Sequence, residues 1–137
     1  FRRVLFRSEA AIATAACPIR NAERLDDPNV VKVVCDIRGR ALYFSRARIP
    51  HVRDAVDASG ARYLQHLGLY AYRRDHLLAF AGLPQTPLEK LEKLEQLRAL
   101  ENGWIIRVIE TDYAGIGVDV PADLEVVRKL LEQGQGG

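Results

Sequence analysis

Residues 86–103, "TPLEKLEKLEQLRALENG", constrain this chain more than any other stretch. Thr86 stands where a helix N-cap belongs, Pro87 at the first helical position and Glu89 at the third, the pattern of a capping box. Asn102 and Gly103 supply the stop. No glycine or proline interrupts the run between them, so the spacing predicts one continuous helix. Its leucines fall at 88, 91, 94, 97 and 100. A step of three residues drifts back by about 60° each time at 3.6 residues per turn. The stripe therefore winds around the helix and makes no heptad seam. A helix packed on several sides inside a globular domain is expected, and a coiled coil is not.

Glu95 is the anomaly of that helix. At about 100° per residue it projects between Leu91 and Leu88, inside the apolar sector. A carboxylate there needs a cation, a hydroxyl-rich ligand or several donors, because burying it unpaired is expensive. The ordinary solution is a salt bridge to an arginine. Its neighbour Gln96 is expected at the surface.

The remaining elements alternate in kind. "AIATAACPI" (11–19) reads as an interior strand ended by Pro18, and "NAERLDDPN" (21–29) as a short polar helix or loop. "VVKVVCD" (30–36) and "ALYFS" (41–45), joined by "IRGR", read as a hairpin. Residues 46–62 are arginine-rich and without period, an exposed excursion. "HLGLYAYR" (66–73) alternates as a strand, with His66, Gly68, Tyr70 and Tyr72 on one face. "RDHLLAFAG" (74–82) is a short helix and "WIIRVIE" (104–110) a strand. "PADLEVVRKLLEQ" (121–133) is a final amphipathic helix, with Leu124, Val127, Leu130 and Leu131 on one side. Mixed strands and helices indicate an α/β layered domain.

At 137 residues the chain is one domain or part of one. With 48% hydrophobic and 28% charged residues it has ordinary globular composition. Its charge of +2 rests on three arginines in the opening "FRRVLFRS", without which it is −1, so no basic footprint for nucleic acid survives. That octapeptide looks like a translated sequencing adapter and is set aside (1–8), as is the "GQGG" tail (134–137). The chain contains no methionine, so a truncated reading frame is expected. The N-terminal arginines, small residues and Cys17 loosely suggest a lipoprotein signal, but Arg7, Ser8 and Glu9 interrupt the apolar core such a signal needs. No apolar run approaches the ~18–20 residues of a membrane span. Cys17 and Cys35 lack metal or redox spacing and are read as buried thiols in a reducing compartment.

Three further groups could carry chemistry. His66 and Tyr70, four apart on a strand, project to the same face and suit a hydroxyl-bearing ligand; a lone strand histidine is otherwise a core residue. Ser45 and Arg46 in "YFSRARIP" suit a carboxylate or phosphate, although most arginines sit in solvent. Asp119, in "GIGVDVPADL", stands at a strand end before a helix, the ligand-facing edge of an open α/β sheet. It is either half of a hard-cation site or a residue at the start of the helix that Pro121 opens.

Taken in order, "NVVKVVCDIRGRALYFSRARIP", "HLGLYAYR", "TPLEKLEKLEQLRALENG" and "GIGVDVPADLEVV" resemble the 3-deoxy-D-manno-octulosonate (Kdo) cytidylyltransferases over about residues 10–133. The resemblance implies a Rossmann-like α/β nucleotidyltransferase, cytoplasmic and homodimeric, that joins CTP to Kdo with Mg²⁺, giving CMP-Kdo and pyrophosphate. It implies no membrane and no nucleic-acid partner. His66 and Tyr70 then match a sugar-binding strand, and Glu95 and Gln96 match groups that bond the sugar's hydroxyls. Asp119 matches a catalytic magnesium ligand, and Arg46 a sugar-carboxylate or dimer contact. Val120 departs from the family's usual threonine or serine before the proline. No phosphate-binding loop and no second acidic ligand are present, so residues 9–133 resemble the C-terminal portion of an incomplete domain. That piece alone is expected to be inactive, and prone to aggregate through unpaired sheet edges. The rival reading is a non-catalytic α/β binding or dimerisation module.

Overall fold

The computed structural model describes residues 9–54, 60–112 and 128. Among the described residues five strands form one sheet: β1 (Ile12–Pro18), β2 (Lys32–Cys35), β3 (Ala41–Ser45), β4 (Leu64–Tyr72) and β5 (Ile106–Glu110). Their order is β3-β2-β4-β1-β5. Only β1 and β5 run parallel; the other three pairings are antiparallel. β1 is internal, as its apolar run predicts, and its alanines are buried. The expected hairpin is β2–β3, whose turn is organised by Asp36: its Oδ1 accepts the backbone N–H groups of Arg38 and Arg40. The same turn reaches across to the outer strand. Gly39 O accepts Val108 N–H at 2.9 Å, Arg40 bridges Arg107, and Arg107 donates to Arg38 O. The sheet is curled enough for its two flanks to meet at this corner.

Between β4 and β5 lie α1 (Arg74–Ala81), α2 (Pro87–Glu92) and α3 (Gln96–Glu101). The core joins Ile12, Ala16, Val33, Phe44, Leu64 and Ile106 of the sheet to Leu94, Leu97 and Ala99. By contrast α1 buries no residue, and Leu77 and Leu78 stand exposed.

The continuous helix expected over 86–103 is corrected. It is two helices, broken at Lys93, which adopts a left-handed conformation (φ 55°, ψ 47°). Leu94 N–H closes back onto Glu89 O, five residues earlier, in the manner of a Schellman turn. The leucine stripe is divided accordingly: Leu94 and Leu97 are in the core, whereas Leu88 and Leu91 face outward. The start of α2 follows expectation in its proline and in the Glu89 half of the capping box, while the Thr86 hydroxyl has no partner among the described residues. Pro87 opens it, and Glu89 accepts the N–H of Thr86 at 3.1 Å.

β4 carries a second irregularity. Between the pairs Ala16–His66 and Thr14–Tyr70, β1 advances two residues while β4 advances four. Gly68 sits in this bulge at φ 69°, a conformation that side chains with a Cβ disfavour.

Candidate functional site

The bulge decides the geometry of the site. In a regular strand residues 66 and 70 would lie about 13 Å apart along the chain axis. Folding the excess backbone out at Gly68 brings the His66 and Tyr70 rings to 5.3 Å. Phe44 packs edge-on against His66 at 4.9 Å, and Tyr72, Phe80 and Trp104 continue the ring ladder beyond Tyr70.

Thr14 fixes the state of His66. The threonine hydroxyl donates to Leu69 O at 2.7 Å, an acceptor that the bulge turns towards it. That uses its single proton, so the 2.8 Å contact with His66 Nε2 has the histidine donating. His66 therefore carries its proton on Nε2. Burial pushes its pKa down to about 4, so the ring is neutral at ordinary pH. Burial, then Tyr72 and the Glu95 carboxylate, raise the Tyr70 phenol above its usual value. Tyr70 thus remains a neutral hydroxyl that can donate or accept.

Burial, then the Glu95 carboxylate, raise the Tyr72 phenol in the same way. The Glu95 side chain is 79% exposed, and Arg98 Nη2 approaches it at 3.9 Å. Gln96 is only 6% exposed. The expectations for this pair are reversed, and the break at Lys93 is the cause. With α3 reoriented relative to α2, Glu95 no longer falls between Leu88 and Leu91 but faces solvent, while Gln96 turns inwards beside Leu97. The carboxylate buried in the helical segment is instead Glu89, 3% exposed, forked against Arg98.

Ser45 and Arg46 do meet a carboxylate, one belonging to the chain itself. Glu92 Oε1 accepts Ser45 Oγ at 2.7 Å and Tyr43 OH at 3.3 Å, and Oε2 accepts Arg46 N–H at 2.9 Å. Burial alone would raise the Glu92 pKa; these three donors hold it below the usual range. The Arg46 guanidinium is given to backbone carbonyls: Nε to Glu92 O, Nη1 to Pro28 O and Nη2 to Lys93 O. Beside it Lys32, 0% exposed, donates to the carbonyls of Asp27, Val30 and Arg46. Sequence reasoning missed Lys32 and Glu92. A lysine inside an otherwise apolar β-branched strand was the available signal for the first; Glu92 offered none, because its partners are 46–49 residues away.

Asp119 lies outside the described residues, as does the predicted helix 121–133 apart from Arg128. Among the described residues no three His, Cys, Asp or Glu side chains converge as a metal site would require. No helix among them is long and apolar enough to cross a membrane.

Residues 2–111 match the family model for cytidylyltransferase. The chain belongs to the cytidylyltransferase family. The family match begins within the opening octapeptide. Among curated members, the 3-deoxy-manno-octulosonate cytidylyltransferase of Syntrophotalea carbinolica is 58% identical over 126 residues, covering 88% of this chain and 50% of that relative. The protein of the same name from Solibacter usitatus is 52% identical over 122 residues, covering 86% and 48%. A solved structure of "CMP:2-keto-3-deoxy-manno-octonic acid synthetase complexed with CTP" superposes with a TM-score of 0.85 at 44% identity, over 97% of this chain and 54% of that one. This cytidylyltransferase chain has the α/β fold of that synthetase as a partial domain, and spans about half the length of the curated relatives it matches.

Proposed function

We propose that this chain supplies the sugar-binding side of an enzyme that transfers CMP from CTP to Kdo. The observation that carries the reading is the approach of the His66 and Tyr70 rings to 5.3 Å, on the strand the resemblance assigns to the sugar. The relatives named for this reaction support it. A polyhydroxylated sugar acid suits a neutral phenol, a neutral imidazole, a carboxylate and an amide, which offer donors and acceptors in turn. The site's task is then to hold the anomeric hydroxyl in line with the α-phosphate, so that the new O–P bond forms as pyrophosphate leaves. Positioning supplies much of the rate in such transfers. Arg46 has three of its five guanidinium N–H groups engaged with backbone carbonyls, which leaves two for a sugar carboxylate or a dimer contact.

Mg²⁺ belongs to the proposal through Asp119. The described residues do not complete a cation site. Homodimerisation in the cytoplasm is proposed with it; exposed Leu77 and Leu78 on α1, a helix with no buried residue, are suited to a covering partner.

The test has two parts. Kdo should bind the 137-residue chain saturably in calorimetry, and Tyr70→Phe should weaken it about tenfold, the loss of one or two hydrogen bonds to a ligand. A full-length protein carrying this segment should release pyrophosphate from CTP only when Kdo and Mg²⁺ are present, whereas the 137-residue chain alone should not. A chain that ignores Kdo, within a protein that does not turn over CTP, would leave a non-catalytic module.

A further inference from the structure

The break at Lys93 contradicts its own sequence. From Leu88 to Glu101 every residue is a good helix former, and Lys93 occupies a left-handed conformation that a Cβ disfavours. Local preference would run the helix straight through, so a tertiary contact must interrupt it. In a continuous helix the carbonyls of Glu92 and Lys93 would accept the N–H groups of Gln96 and Leu97. Here Arg46 takes those places, with Nε on Glu92 O at 2.7 Å and Nη2 on Lys93 O at 3.3 Å. Leu97 N–H turns instead to Leu94 O. Immediately before the break, the Glu92 carboxylate is tied to the end of β3 by Ser45, Tyr43 and the Arg46 N–H.

We propose that Glu92 is a positioning residue: anchored to β3 through its carboxylate, it imposes the break at Lys93 and so sets Gln96 inwards and Glu95 outwards. The proposal rests on the sugar-site reading for its functional consequence, but the structural claim stands by itself. Arg46 serves the same clamp from the β3 side, replacing two helical donors with its guanidinium. Glu92 touches no sugar; it acts through the residues that follow it. A glutamine in its place retains an oxygen acceptor for Ser45 or the Arg46 N–H, whereas alanine retains none.

The experiment uses the 137-residue chain and reads two quantities. Backbone chemical shifts report whether Lys93 is left-handed or helical, and calorimetry reports Kdo affinity. Glu92→Ala is expected to move the Lys93 shifts towards helical values, protect the Gln96 amide from exchange, and weaken Kdo binding by about tenfold or more. Glu92→Gln should keep Lys93 left-handed and restore affinity to within about threefold of the parent. Should Glu92→Ala fail to fold, the Ser45→Ala, Tyr43→Phe double variant removes two of the three donors and should shift Lys93 in the same direction. Lys93 shifts unchanged in every folded variant would overturn the proposal. A parent chain that does not bind Kdo, with the shifts moving as expected, would remove the sugar-site reading and leave the clamp standing.

Discussion

Glu89 and Arg98 are joined by a forked ion pair across the break between α2 and α3, Nε to Oε2 at 2.9 Å and Nη2 to Oε1 at 2.5 Å. Both side chains are largely buried, and the same carboxylate accepts the Thr86 N–H at the start of α2. One group therefore closes the helix entrance and fastens the following helix. Arg98→Met should leave a buried carboxylate without its cation and cost about 3–5 kcal/mol in urea unfolding. Replacing both partners with apolar residues should cost much less, because no orphaned charge remains. A single variant as stable as the parent would refute this.

Acid should weaken the fold in two stages. His66 takes up its proton near 6.5 when unfolded but only at about 4 when folded. Between those values the unfolded chain binds more protons, so this contribution is complete above pH 6.5 and is lost as pH falls towards 4. It amounts to about 3 kcal/mol. Glu89, held down chiefly by Arg98, and Glu92, held down by its three donors against the effect of burial, add a second loss below about 4.5, their ordinary value. Urea midpoints measured between pH 7 and 4 should slope in the parent and lie nearly flat down to about 4.5 in His66→Gln.

Gly68→Ala tests the bulge. An added Cβ would meet nothing within 4 Å, so crowding is not at issue. The cost is that of holding a Cβ-bearing residue at φ 69°, about 1–2 kcal/mol. Thermal unfolding should show that loss. An unchanged or higher midpoint would mean that the backbone at 68 is free to adopt another course.

Lys32→Met should be more damaging than its position in an apolar strand suggests. One ammonium serves the carbonyls of Asp27, Val30 and Arg46, and methionine fills the space without satisfying any of them. A loss of about 3 kcal/mol is expected. Lys32→Arg should not rescue it, because a planar fork does not reproduce a three-way point donor. Full stability in the methionine variant would show that water serves those carbonyls equally well.

The strand order of residue types was legible because period and punctuation are local: the β2–β3 hairpin, the interior character of β1 and the start of α2 all follow from neighbours in sequence. His66 and Tyr70 were placed on one face correctly, but their 5.3 Å approach depends on Gly68, which reads as a mere face residue unless a glycine inside a strand is taken as a bulge. Glu95 and Gln96 could not be oriented from the helix period, because the period is interrupted by contacts from Ser45, Tyr43 and Arg46, some 46–49 residues earlier. No window along residues 86–103 contains that information.

The meeting of Gly39 with Val108 has a bearing on self-association. Sheets recruit foreign strands through vacant amides on their outermost member, and among the described residues β5 is such a member. Here the amide of Val108 is already engaged by the chain's own hairpin turn, with Arg40 and Arg107 packed at the junction. A stray strand arriving on that side finds its docking rail blocked part-way along by a charged plug. Opening that corner would free the Val108 amide to pair with a strand of another copy.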